Sequence, residues 1–250
     1  RAAARALAGC CCDNPGVQEQ PSVSISGVFR DAWALYRVLW RRSVVVGGIV
    51  FALVAVASIL AAKSGGRGPQ AATLVLGFAG IAFVQGVLVE SVRAVHEGRP
   101  QLSWRSLYER GGALFPALLF GSLLYGVSVG IGAFLFIIPG LFVLARWAVF
   151  APALVLEGLP LGNAFRRSNQ VVRGHTLPVL ATLIVMYIAI TAVGLALGAL
   201  AGLGTVGSGV IEFTWQALAA PYEAHILTAL YYRLVEPHRS IVHPAYARGE

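Results

Sequence analysis

Residues 44–62 form nineteen consecutive positions without a single charge, and comparable runs recur along the 250-residue chain. A hydrocarbon core of about 30 Å needs roughly twenty helical residues at about 1.5 Å each. Runs at 71–89, 113–136, 139–156, 177–203 and 210–230 meet the same requirement, giving six predicted spans. Only 12% of the chain is charged and mean hydropathy is +0.74, against about 25% charged residues in an ordinary soluble domain. The expected fold is an all-α integral membrane protein, six transmembrane helices in three hairpins.

Each pair of spans is preceded by a short aromatic and basic segment. In the first, Phe29, Trp33, Tyr36 and Trp40 recur at i, i+4, i+7 and i+11, with Arg30, Arg37 and Arg41 beside them. That pattern predicts an amphipathic helix over 26–42, lying along a membrane surface with its rings at headgroup depth. Related segments begin near Trp104 and Phe165, and the threefold recurrence suggests an internal repeat. Residues 1–24 read as a disordered lead, 25–236 as the membrane domain and 237–250 as a loosely ordered polar tail.

The formal charge of +8 would suggest nucleic acid in a soluble protein. Here sixteen of the nineteen Lys and Arg residues fall on one side of the predicted bundle. The expected partners are therefore anionic lipid headgroups, and nucleic acid is excluded. The positive-inside rule places both termini in the cytoplasm. The near-exclusive use of Arg over Lys, with abundant Ala and Gly, is the composition of a GC-rich bacterial genome, so the expected location is an inner (plasma) membrane. Arg30, Arg37, Arg41, Arg166, Arg167 and Arg173 are the candidate headgroup contacts.

Cys10, Cys11 and Cys12 are consecutive and the only cysteines, so no disulfide framework is expected. Leu7-Ala8-Gly9-Cys10 resembles a lipoprotein cleavage box, but Arg1 and Arg5 stand where its apolar run belongs. His96-Glu97 begins like a zinc-protease helix, yet Pro100 occupies the place of the second His. Ser208 lies between glycines without the spacing of a nucleophile elbow. No catalytic group, metal or cofactor is expected, and the reading leans away from an enzyme.

Intramembrane polar residues are the remaining candidates. Arg146 interrupts an apolar span, where a central Arg costs roughly 2.5–3.5 kcal/mol on insertion scales. Counting depth along the spans pairs it with Glu212, with Glu223 deeper. Snorkelling to headgroups or simple pairing is the bland explanation, and a polar site for an anion is the functional one. Glu223 and His225 are two apart and cannot share a helix face. Small residues at Ser122, Gly126 and Gly130, and at Gly194, Gly198 and Gly202, predict close packing of those two helices, or association with a second copy or another protein.

The run from Ile137 to Gly174 resembles the membrane-domain family of glycerophosphoryl diester phosphodiesterases and related six-span bacterial proteins. The resemblance rests on Pro139-Gly140, Arg146, Pro152, Glu157, Ala164, Arg167-Ser168 and Gly174, with a late LTALYYRL at 227–234. It implies a membrane location and a six-span fold over 26–235. The catalytic barrel that some relatives carry has no counterpart here, so no activity is implied. The expectation is a non-catalytic multi-pass module that anchors, scaffolds or engages lipids. The alternative is a transporter or permease with a polar site at Arg146, Glu212 and Glu223.

Overall fold

A computed structural model describes residues 24–64, 67–99, 103–201, 205–237, 239–243 and 246. The lead with Cys10–Cys12, Gly202, His238 and the side chain of Glu212 lie outside this description. The described residues form eight α-helices: α1 (Ile25–Ser64), α2 (Arg67–His96), α3 (Trp104–Leu135), α4 (Ile137–Trp147), α5 (Phe150–Glu157), α6 (Leu161–Val172), α7 (Thr176–Ala201) and α8 (Thr205–Val235). Five stretches, Ile25–Ala61, Ala71–His96, Trp104–Leu135, Ile137–Glu157 and Thr176–Ala199, are long and apolar enough to cross a membrane. This is an all-α fold of the membrane type.

Proline sets half of the helix starts. Pro69, Pro139, Pro152 and Pro178 each occupy the third position of a helix, α2, α4, α5 and α7. A proline there sacrifices an N–H that has no intrahelical partner anyway. Its ring also clashes with the carbonyl four residues earlier, so a preceding helix cannot run through. For Pro139 that residue is Leu135, where α3 ends; for Pro152 it is Ala148, where α4 gives way to α5. The predicted fourth span is thus two helices of 11 and 8 residues.

Three antiparallel hairpins, α1–α2, α3–α4 and α7–α8, close into a ring because α1 packs along α8 and α4 along α7. Short α5 plugs the ring, with every residue from Phe150 to Val155 buried. It ends at Gly158, whose φ of 64° is the left-handed cap that glycine adopts without strain.

The first amphipathic segment departs from expectation. It is not a separate surface helix, because α1 runs unbroken for 40 residues, about 60 Å. Val28, Ala32, Leu35, Leu39, Ser43 and Val46 form one buried stripe against the bundle. The aromatic stripe lies next to it, with Trp33 and Trp40 about half exposed. Asp31 pairs with Arg233 of α8 at 2.6 Å, fixing the segment lengthwise. The second segment likewise continues into α3, and only the third is a helix of its own, α6.

Two further expectations are corrected. Gly130 and Gly198 have no neighbour a Cβ would touch, Gly126 meets only Phe78, and Gly194 meets Trp215. The small-residue ladders therefore do not pack against each other. The tail is ordered in part: the His96 ring lies against the Ile241 carbonyl at 3.1 Å, and Tyr246 donates to the Arg99 carbonyl. The tail covers the buried His96 side chain and the turn that follows α2.

Close approach occurs elsewhere. The α3–α4 turn is wholly apolar, with Phe134 and Ile138 exposed at 92% and 80%. Its backbone is served internally, since Phe136 N–H donates to Gly132 O at 3.0 Å and Gly140 N–H to Phe136 O at 3.4 Å. On the α1–α8 seam, Pro221 removes the N–H that would bond Ala217 O, and Gly47 sits against that carbonyl. A Cβ at Gly47 would lie 2.5 Å from Ala217 O, while one at Gly48 would meet nothing within 4 Å. Gly47→Val is expected to destabilise the purified protein by about 3 kcal/mol or more, the upper range for overpacking against rigid backbone. Thermal unfolding in detergent should show a clear fall for Gly47→Val and little change for Gly48→Val.

Candidate functional site

Polar chemistry gathers at one end of the bundle, where α1, α2, α3, α5, α6 and α8 carry their ionisable residues. Glu90 is 5% exposed on α2. It holds Arg110 of α3 at 3.0 Å and Arg93 of its own helix at 3.7 Å. A buried carboxylate needs such partners, since removing one strands a charge at a cost of roughly 3–5 kcal/mol. Glu157, at the end of α5, accepts Arg167 Nε at 2.8 and 3.0 Å and the Tyr231 hydroxyl. The bond to Glu157 raises the Arg167 guanidinium above its ordinary value. One pair thereby joins α5, α6 and α8. Beyond α2, partial burial pushes the Glu97 carboxyl up, but the Arg93 hydrogen bond with Arg99 alongside outweighs it and leaves the group below its ordinary value.

Arg146 finds its partner on α6, while the side chain of Glu212, the expected partner, lies outside the described residues. Arg146 Nη1 donates to Asn169 Oδ1 on α6 at 2.7 Å, and Arg146 Cζ lies 4.7 Å from the Phe142 ring centre. Ser168 Oγ donates to the Arg146 carbonyl at 2.8 Å, so two adjacent α6 residues clasp one α4 residue. The cause is the break at Ala148. After it, α5 ends at Gly158 and α6 turns back, stacking Phe165 on Phe150 at 4.7 Å and against Trp147 at 4.8 Å. Arg146 Nε is buried and has no hydrogen-bond partner among the described residues.

Glu223 sits apart, among the apolar helices. Tyr187 of α7 donates to its Oε1 at 3.3 Å. Tyr125 of α3 donates to the Leu144 carbonyl at 3.0 Å. His225 faces the other way, its Nε2 2.9 Å from Ser43 Oγ on α1, as the two-residue spacing requires. Sequence reasoning missed Tyr125, Tyr187, Ser168 and Asn169, because a hydroxyl or amide in an apolar helix carries no periodic signature.

The candidate headgroup contacts divide. Arg30, Arg37, Arg41, Arg166 and Arg173 are exposed, and Arg167 is committed to Glu157. Arg30, Arg37 and Arg41 share one face of α1 at i, i+7 and i+11, beside Trp33 and Trp40; Arg41 Cζ is 5.6 Å from the Trp40 ring centre. Among the described residues no group of three or more His, Cys, Asp and Glu side chains is placed to hold a metal ion.

The clasp on Arg146 is testable by coupling. Hydrogen bonds to a charged group contribute about 1.5–3 kcal/mol. Arg146→Ala and Asn169→Ala should therefore lose less together than the sum of their separate losses, by about 1 kcal/mol or more. Arg146→Ala and Glu212→Gln should add. Thermal unfolding of the single and double variants measures both. Searches of protein-family models, curated proteins and solved structures return no match to this chain.

Proposed function

We propose that this chain is a multi-pass module of a bacterial inner membrane that engages anionic lipid headgroups and serves as an anchor or scaffold, without chemistry of its own. The single observation that carries the reading is how the charged groups are divided. Those turned inward are held by internal partners: Asp31 by Arg233, Glu90 by Arg110, Glu157 by Arg167 and Arg146 by Asn169. Those turned outward, Arg30, Arg37, Arg41, Arg166 and Arg173, are exposed guanidiniums at the same end, three of them beside exposed Trp. Guanidinium next to indole, directly above long exposed apolar faces, is the chemistry of the headgroup layer. The resemblance to the phosphodiesterase membrane-domain family agrees with a membrane role and lends no activity.

In this reading the cationic end faces the cytoplasm, with both termini there. Sidedness is checked by single-cysteine labelling with an impermeant maleimide. Ser64→Cys and Ser106→Cys should label from opposite faces, and labelling of both from one face ends the topology. Lipid engagement is checked by thermal unfolding with added phosphatidylglycerol or phosphatidylcholine. The anionic lipid should stabilise by several degrees more, and an Arg30/Arg37/Arg41→Gln triple variant should lose most of that difference. Equal stabilisation by the two lipids, at low salt, overturns the reading.

A transporter or permease is the second reading, favoured by one observation: Glu223 sits among apolar helices, with Tyr187 of α7 donating to it at 3.3 Å. Ionisable residues at such positions commonly mark pathways. Glu223→Gln would then abolish a proton- or ion-coupled flux in reconstituted vesicles, whereas a scaffold shows no flux in either form.

A further inference from the structure

Between α1, α2 and α3 lies an open apolar slot of about 360 Å³, with Ile49 and Leu53 on its exposed wall. Ile49 and Leu53 of α1, Leu76, Ala79 and Phe83 of α2, and Phe115 of α3 line it. A neighbouring groove of about 390 Å³ shares Leu76 and extends the slot along the α1–α2 seam to Ser64 and Pro69. From Ile49 to Ser64 the path follows about 22 Å of α1, at about 1.5 Å per residue. That is longer than one leaflet's half of a hydrocarbon core of about 30 Å.

The slot has a distinctive upper end. Phe83 stacks on Tyr108 at 5.9 Å, Tyr108 on Trp104 at 6.2 Å, and the Arg42 Cζ lies 5.5 Å from the Trp104 ring centre. Phe115 meets Phe83 edge-on at 6.0 Å. A continuous ladder of rings therefore leads from the apolar slot to a guanidinium. On α1, Arg42, Ile49 and Leu53 stand at i, i+7 and i+11, on one face of the helix. Ile49 lies about 10 Å along the axis from Arg42, two turns deeper. Polar rim, aromatic collar and apolar slot follow one another in the order of phosphate, glycerol ester and acyl chain.

We propose that this slot is a specific site for an anionic diacyl phospholipid, one acyl chain lying along Ile49, Leu53 and Phe83 and its phosphate meeting Arg42 above Trp104. The proposal rests on the lipid-engaging reading and narrows it from an exposed cationic surface to one built site. A guanidinium with a planar fork of donors suits a phosphate, and neighbouring Arg41 adds positive potential at the same depth. A helix of a second copy does not fit. A cylinder about 10 Å across displaces roughly 80 Å³ per Å of length, so 360 Å³ would admit only about 5 Å of it. A single acyl chain is thin enough to fill the slot lengthwise.

The test uses the full chain in nanodiscs and phosphatidylglycerol carrying a diazirine in one acyl chain. Photolabel is expected on peptides containing Ile49, Leu53, Leu76, Phe83 or Phe115. Arg42→Gln removes the phosphate partner, and Ala79→Phe fills the slot while leaving Arg42 in place. Each should lower slot labelling roughly tenfold, the loss expected for one charge-assisted contact or an occluded cavity. Elution profile and thermal unfolding in lipid-free detergent confirm that both variants fold, and a variant that fails is replaced by Leu53→Trp, which narrows the slot from its exposed wall. Equal slot labelling by a phosphatidylcholine probe overturns the anionic site. Label confined to the exposed Arg30, Arg37 and Arg41 face overturns it too, while sparing the broader lipid reading. Cross-linked dimers through the slot overturn it in favour of a second copy. Absence of any phosphatidylglycerol preference, in labelling and in stability alike, overturns both.

Discussion

The ring closes on the contact between the first helix and the last. Pro221 deprives Ala217 of its helical hydrogen-bond donor, and in an apolar environment an unserved carbonyl is costly. Gly47, lacking a side chain, lets α1 approach that carbonyl closely enough for its Cα–H to face it. With α1 held there, His225 reaches Ser43 and Arg233 reaches Asp31 two turns and more along the same seam. The remaining helices are added to this pair: α2 returns beside α1, α7 arrives beside α8, and α3–α4 fills the gap between them. Lipid supplies no hydrophobic force to press helices together. Shape complementarity at Gly47, and at Gly140 against Ala133, provides part of what that force would in water.

The two ends of the molecule are stabilised differently. Along the apolar lengths of α3, α4 and α7 the large outward side chains are Leu, Ile, Val and Phe, with Tyr187 of α7 among them, and packing rests on van der Waals contact. At the charged end the helices extend past any hydrocarbon, and the buried stripe of α1 from Val28 to Leu39 packs as in a soluble protein. Here ion pairs and hydrogen bonds cross between helices, some of them joining elements remote in sequence. The Asp31–Arg233 ion pair spans 202 residues, and the hydrogen bond that Tyr231 donates to Glu157 spans 74. These bonds set which helix neighbours which, where the apolar halves alone would tolerate sliding.

Much of this was legible in the sequence, and the reason is the period and the charge. Apolar runs long enough to form membrane helices gave the helical fold, and Pro139 marked the start of α4 within a turn that is itself apolar. The rest depended on tertiary contact. The aromatic stripe of α1 was visible, but the buried stripe beside it, Ala32 and Leu35 among others, looked equally suited to lipid. The contact of Arg146 with Asn169 was not foreseen because depth was counted along an unbroken fourth span. Pro152 was in view, yet its consequence, a break that lets α6 fold back and bring Asn169 to Arg146, requires the geometry of the turn. Glycines at four-residue spacing suggested an interface, whereas the glycines that touch backbone, Gly47, Gly132 and Gly140, lie outside those ladders. A contact in three dimensions selects a glycine, and its spacing along one helix does not.

The apolar tip between α3 and α4 bears on biogenesis. The α1–α2 turn carries Lys63 and Arg67, and the α7–α8 turn carries Thr205 and Ser208. Each must move polar groups through hydrocarbon when its hairpin inserts, at roughly 2.5–3.5 kcal/mol for a single Lys or Arg at mid-depth. The middle hairpin moves only Phe134, Leu135, Phe136, Ile137, Ile138 and Pro139, with the Phe136 amide already bonded within its own turn. Its turn meets no comparable barrier on entry, although Arg146 farther along α4 waits for Asn169 until α6 is made. The order in which the hairpins enter the membrane is then governed by the polarity of their turns as much as by their order of emergence from the ribosome.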